Sequence, residues 1–233
     1  MDPLRIISGG AAQGLVSSLR SRFEGQQGCT IEGTFGAVGL MKERLLSGAA
    51  CDVLILTDAL INDLADQGYA VEESATAIGV VRTGVAVKAG RPAPRVDSPP
   101  ALADVLRRAS AIYFPDPVKA TAGIHFMKVL KALRLDRELA VKLLPFPNGA
   151  TAMREMAQAE SDDVVGCTQV TEILYTQGVQ LVAALPKEFE LATVYTAAVC
   201  TRSANPEAAA ELVRLLASAV AKPLREAGGF EAD

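Results

Sequence analysis

The chain has 233 residues, half of them hydrophobic, with a formal net charge of −4. That is ample apolar material for one large core or two small ones. Mixed charge, 5% aromatic content and the lack of a basic run argue against nucleic acid as a partner. There is also no run of about 18 uninterrupted apolar residues to insert into a membrane.

The chain enters its first element almost at once. Met1-Asp2-Pro3-Leu4 shows neither a cationic start nor an apolar stretch ending in a small-residue cleavage site. The expectation is a cytoplasmic protein, although a chain whose leader had been removed would read the same way. Ile6-Ile7-Ser8-Gly9-Gly10-Ala11 then reads as a strand running into a tight turn, followed by a helical pattern at Leu15, Leu19 and Phe23. Such a joint aims unpaired backbone N–H groups and the positive end of a helix dipole at one spot. Small residues let an anion approach that spot closely.

The same rhythm recurs. Residues 30–35 alternate as a strand, Gly36-Ala37-Val38-Gly39 turns, and a helix over 40–46 stops at Gly48. Residues 52–56 form a short apolar run typical of a buried parallel strand, and Thr57-Asp58 is expected to cap the helix that follows. Three strand–helix units in succession predict a parallel sheet covered by helices.

A long strand over 78–88 ends in the proline-rich segment Arg91-Pro92-Ala93-Pro94-Arg95. Helices are then predicted over 101–109, 124–133, 150–159 and from Thr168-Gln169 onward. Strands are predicted over 111–114, 141–144, 163–167 and 179–184. A second long strand covers 191–201, and a last helix covers 206–219. The two long strands bracket the middle block. They predict two α/β lobes, residues 1–82 with 194–233 and residues 83–193, joined by two crossover strands, with a ligand cleft between the lobes.

Several residues stand where a ligand would meet such joints. Ser8, Gly9, Gly10 and Ala11 line the first turn, and Ala37, Val38 and Gly39 line the second. Arg82, in the first crossover strand, has the fork geometry to hold a carboxylate bidentately. Thr121 is placed to cap a helix whose first amides, Gly123 included, face an anion, with Lys119 adding charge. Asn148-Gly149 and Thr168-Gln169 occupy two further strand-to-helix turns with amide and hydroxyl donors. His125, the chain's one histidine, offers an acid/base group near neutral pH. Glu172 reads foremost as a solvated helix charge and otherwise as a base. The four cysteines are far apart, with no CxxC, and read as buried free thiols, a disulfide being the minor alternative. One histidine leaves no His-rich metal site, and no phosphate-cradling glycine motif of dinucleotide or P-loop type occurs. No metal or cofactor is expected.

The order of these joints resembles the periplasmic molybdate-binding proteins of ABC importers, members of the type 2 solute-binding fold. The resemblance rests on Ser8-Gly9-Gly10-Ala11, Phe35-Gly36-Ala37-Val38-Gly39 and the segment Gly48-Ala49-Ala50-Cys51-Asp52-Val53. Later come Asp116-Pro117, Ala122-Gly123-Ile124, and Gly166 to Glu172 before Gly178-Val179. It implies a two-lobed binder of a small anion. In that family a serine in each of the first two turns and a tyrosine in a later turn contact the anion; here those positions read Ala11, Val38 and Gln169. Each hydrogen bond to a charged group contributes about 1.5–3 kcal/mol, so losing several points away from molybdate.

An aconitate isomerase is among the relatives that the resemblance brings, making a small di- or tricarboxylate a credible ligand. Two functions follow as expectations. One is binding of a small anion, with no importer permease expected as partner of an unexported chain. The other is isomerisation of an aconitate-like acid, with His125, Lys119 and Glu172 as the nominated bases.

Overall fold

A computed structural model describes residues 2–232. The chain divides into two compact units: one runs to Val81 and resumes at Thr193, and the other is Arg82–Ala192. The chain leaves the first unit within β4 (Thr76–Lys88) and returns to it within β9 (Ala192–Val199).

In the first unit, β1 (Leu4–Gly9) pairs in parallel with β2 (Ile31–Gly36) on one side and β3 (Val53–Thr57) on the other. The expected parallel arrangement stops there, because β9 runs antiparallel to β3, with Val53 opposite Val199 and Thr57 opposite Tyr195. β3 reads Val-Leu-Ile-Leu-Thr and is buried on both faces, as its continuous apolar run requires. Helices α1 (Gln13–Gln27), α2 (Val38–Leu46), α3 (Asp58–Asp66), α8 (Pro206–Ala217) and α9 (Lys222–Ala227) cover it. Leu19 and Phe23 of α1, Leu64 of α3 and Leu212 of α8 are fully buried with Ile6, Leu54 and Ile55 in one core. Each such side chain contributes about 1.5–3 kcal/mol by leaving water.

In the second unit, β5 (Ala111–Pro115) pairs in parallel with β6 (Leu143–Phe146) and β7 (Val164–Gln169). β4 lies antiparallel to both β7 and β8 (Val179–Ala184). Its helices are α4 (Pro99–Arg108), α5 (Thr121–Ala132), α6 (Gly149–Ala157) and α7 (Val170–Tyr175). One core gathers around Phe114 and Phe126, whose rings meet edge to face at 5.4 Å. A smaller one gathers around Met153, Met156 and Val164.

Several boundaries differ from the sequence reading for local reasons. β1 does not turn directly into a helix: a 3-10 turn, Gly10–Ala12, intervenes, and its backbone is buried. Thr57 precedes α3 without a side-chain cap; instead the Thr196 hydroxyl donates to Asp58 Oδ1 at 2.8 Å across the β3–β9 pair. Likewise Ala120, not Thr121, holds the N-cap position of α5, and no side chain caps it. Thr168 and Gln169 are the last residues of β7, and Gln169 also holds the N-cap position of α7, which begins at Val170. α9 was not foreseen.

Candidate functional site

The parallel strands of each unit end at one edge, and there the helices begin. In the first unit Gly9 closes β1, Ala37 caps α2 and Thr57 closes β3. A β-carbon on Gly9 would touch Val38 of α2 and Tyr195 of β9, so the end of β1, the start of α2 and β9 meet at this point. The first intrahelical bond of α2 runs from Met41 N–H to Ala37 O at 2.9 Å. The amides of Val38, Gly39 and Leu40 therefore have no partner within the helix. Ser8 lies on β1 rather than in the turn. It is fully buried, and its hydroxyl donates to the Gly9 carbonyl at 2.8 Å, so the donor expected for a ligand is spent on the chain itself.

In the second unit β5 leads through an Asx-type turn into α5. Asp116 Oδ1 accepts from the amides of Val118 (2.7 Å) and Lys119 (2.9 Å). This fixes the loop one turn before the helix. Gly123 is pressed so tightly onto the end of β5 that a β-carbon there would overlap the carbonyl oxygens of Pro115 and Asp116. The first bond of α5 runs from Ile124 N–H to Ala120 O, leaving Thr121, Ala122 and Gly123 with amides that have no intrahelical partner.

The start of α6 is different. Asn148 caps it, with Oδ1 accepting from Thr151 N–H at 2.8 Å. The next two amides, Gly149 and Ala150, donate to the carboxyl group of Glu172, as does the amide of Gln169. The Thr168 hydroxyl donates to Glu172 Oε2 at 2.5 Å. The Gly149 amide and the Thr168 hydroxyl, expected to face a ligand, thus already serve an internal carboxyl, while Asn148 Oδ1 accepts from Thr151 as the cap of α6. The reading of Glu172 as solvated is corrected too: it is buried, 6% exposed. Burial pushes its carboxyl above the usual range, against the downward pull of the Thr168 hydroxyl and the three amides.

The remaining candidates are placed as follows. Arg82 pairs with Glu190, so its guanidinium already faces a carboxylate. His125 is the fifth residue of α5, and its Nε2 lies 2.7 Å from the Phe189 carbonyl. A carbonyl only accepts, so Nε2 carries the proton and Nδ1 is the basic nitrogen of the neutral ring. Gln169 is buried at the end of β7. Ala11 is buried within the Gly10–Ala12 turn. The role of Glu172 was the signal that sequence reasoning missed.

Two cavities lie at the other ends of the strands. One, of about 420 Å3, is lined by Arg91, Arg108 and Val164 near the amino ends of β5 and β7. The other, of about 310 Å3, is lined by Cys51 and Cys200 near the amino end of β3. Neither includes a helix start described above. Among the described residues no group of three or more His, Cys, Asp or Glu side chains converges as a metal site would require. No helix among them is long and apolar enough to cross a membrane.

Two α/β units with helix starts gathered at the strand ends, entered and left through two crossover strands, define the type 2 solute-binding fold. The chain belongs to the bacterial extracellular solute-binding protein family, whose profile matches residues 4–231. The periplasmic molybdate-binding protein of Azotobacter vinelandii superposes over 99% of both chains with a TM-score of 0.81 at 18% identity. A sulfate-binding protein of Mycobacterium tuberculosis superposes over all of this chain and 87% of its own, with a TM-score of 0.77 at 16% identity. An aconitate isomerase from a Pseudomonas species is 24% identical over 235 residues, covering 97% of this chain and 86% of its own.

Proposed function

We propose that this chain binds a small anion through backbone amides at helix starts, and that a di- or tricarboxylate suits it better than a tetrahedral oxyanion. The observation that carries this reading is the start of α5. Three consecutive amides there lack intrahelical partners, on a backbone held by Asp116 and by the close packing of Gly123. Helix-start amides and the dipole behind them attract negative charge. The start of α2 in the other unit offers a second set of the same kind. The preference for carboxylates is supported by the apolar side chains of Ala11 and Val38, which supply no hydroxyl donor, and by the similarity to an aconitate isomerase.

Thermal melts with molybdate, sulfate, phosphate, citrate, tricarballylate, cis-aconitate and trans-aconitate test the proposal. A ligand present at about 100 times its Kd adds about 2.7 kcal/mol of stability. Stabilisation by one or more carboxylates is expected. A shift with molybdate or sulfate alone defeats the carboxylate preference, and no shift with any anion defeats the reading.

A second reading, isomerisation of an aconitate-like acid, is favoured by His125. Its ring is oriented by the Phe189 carbonyl, and it stands one turn along the helix whose start is the candidate anion site. Nδ1 would take the acidic proton beside a carboxylate and return it one carbon away, while the helix-start amides stabilise the developing enolate charge. Glu172 is unsuited to this task, since its carboxyl is already surrounded by donors of the chain. Following cis- to trans-aconitate conversion by NMR decides between binder and enzyme: conversion abolished by His125→Ala supports the enzyme, and none at high protein concentration excludes it for this substrate.

A further inference from the structure

The loop before β3 and the end of β9 bring two thiols together, far from the helix starts. Cys200 N–H donates to Asp52 O at 2.9 Å, which extends the β3–β9 ladder by one residue and sets Cys200 opposite Asp52, the chain neighbour of Cys51. On its other side Cys200 bridges to Ala70, and the next amide, Thr201, donates to Tyr69 O at 3.0 Å. The backbone of Cys200 is therefore held from both flanks. The Cys51 thiol donates to Val53 O at 3.2 Å and receives a hydrogen bond from the Cys200 thiol. Both sulfur-bearing residues line the cavity of about 310 Å3, together with Tyr69 and the exposed side chain of Arg202. Cys29 and Cys167 are free thiols as well; Cys167 is fully buried in the middle of β7, where burial pushes its thiol up.

We propose that Cys51 and Cys200 form an oxidisable thiol pair, converted to a disulfide by exchange with a low-molecular-weight disulfide that enters the cavity beside them. Both residues line the cavity, and the contact between their thiols puts a second sulfur next to the first. The hydrogen bond to Cys51 and burial push the Cys200 thiol up, so Cys51 is assigned the first attack. Its thiolate displaces one half of the small disulfide, forming a mixed disulfide and releasing one small thiolate. That thiolate takes the Cys200 proton. Cys200 then attacks the Cys51 sulfur and expels the second small thiolate, which takes up the proton that Cys51 released on ionising. One small disulfide is reduced to two thiols, and the protein loses two hydrogens. A disulfide whose halves carry carboxylates, of the glutathione kind, matches the positive charge of Arg202.

The test incubates the native protein with oxidised glutathione, blocks remaining thiols under denaturing conditions, and maps the peptides by mass spectrometry. The expected product is a peptide linking Cys51 to Cys200, with Cys29 and Cys167 alkylated. Because the link closes a loop that contains all of the second unit, the oxidised protein melts at a higher temperature than the reduced one. Cys51→Ser removes both the link and the shift, and the peptide map of the unmodified chain stands even if that variant folds poorly. Four alkylated thiols after prolonged incubation, a link involving Cys29 or Cys167, or a glutathione adduct at Cys51 that never resolves would each overturn the proposal.

Discussion

Oε2 of Glu172 occupies the space that a β-carbon on Gly149 would need. The two residues belong to different helices, α7 and α6, and the glycine lets the carboxyl sit directly on the first amides of α6. A carboxyl group of the protein itself thus satisfies this helix start. Among the described residues no such internal carboxyl meets the first three amides of α5, which is why the proposed ligand site lies there.

The fit at Gly149 predicts a large effect from one methyl group. Gly149→Ala forces Thr168 and Glu172 apart from the helix start, since the new atom would overlap both Oε2 and the Thr168 hydroxyl oxygen. Overpacking of this kind costs about 1–3 kcal/mol, and here a buried hydrogen-bond network is broken as well. Urea unfolding of the variant should show a lower midpoint with an unchanged slope.

Glu172 also sets a pH dependence. Burial raises its folded pKa above the ordinary 4.5, so the protonated form is favoured in the native state. The stability this contributes is fully present below the unfolded pKa and is lost as pH rises through the higher folded value. Glu172→Gln, which cannot ionise, removes that loss. Melting temperatures measured from pH 4 upward should therefore fall more steeply for the native chain than for Glu172→Gln, the gap widening in favour of the variant as pH rises. Parallel curves would contradict the assignment.

Asp52 ties the first unit together from beneath the sheet. Its carboxylate accepts from the amides of Arg5 (2.8 Å), Ala204 (2.8 Å) and Asn205 (3.3 Å) and from the Ser203 hydroxyl (2.8 Å). The side chain is 2% exposed. Hydrogen bonds to a charged group contribute about 1.5–3 kcal/mol each, and orphaned buried donors add their desolvation cost. Asp52→Ala should lose about 3 kcal/mol or more in denaturant unfolding, against about 1 kcal/mol for Ser203→Ala.

The strand-and-turn rhythm made much of this fold readable. β3 announces itself as an apolar run, β8 falls on the expected residues 179–184, and the crossover strands stand out by their length. What escaped reading depends on segments distant in sequence. Val170-Thr171-Glu172-Ile173 looks like one turn of an amphipathic helix, and nothing within it reveals that Gly149 has vacated the space for its carboxyl. Ser8 reads as a turn donor, yet β1 continues through it to Gly9. The pattern ends β7 at Cys167 because Thr168 and Gln169 are polar, whereas both are buried and paired with Gly84 and Thr83 of β4. Thr121 resembles a cap by composition, but Asp116 already fixes the turn.

The account's central claim is that backbone amides at the start of α5 hold the anion, and one substitution isolates a single amide. Thr121 is the first residue of α5, a position where proline is at home, and Ala120 before it has φ −101° and ψ 129°, compatible with a following proline. Thr121→Pro deletes one N–H and leaves the helix intact. The measurement is the calorimetric Kd of the most stabilising carboxylate for the native chain and for this variant. The account predicts a melting temperature little changed without ligand and a Kd weaker by about 10- to 150-fold, the equivalent of one lost charge-assisted hydrogen bond. An equal Kd in the two proteins would contradict it.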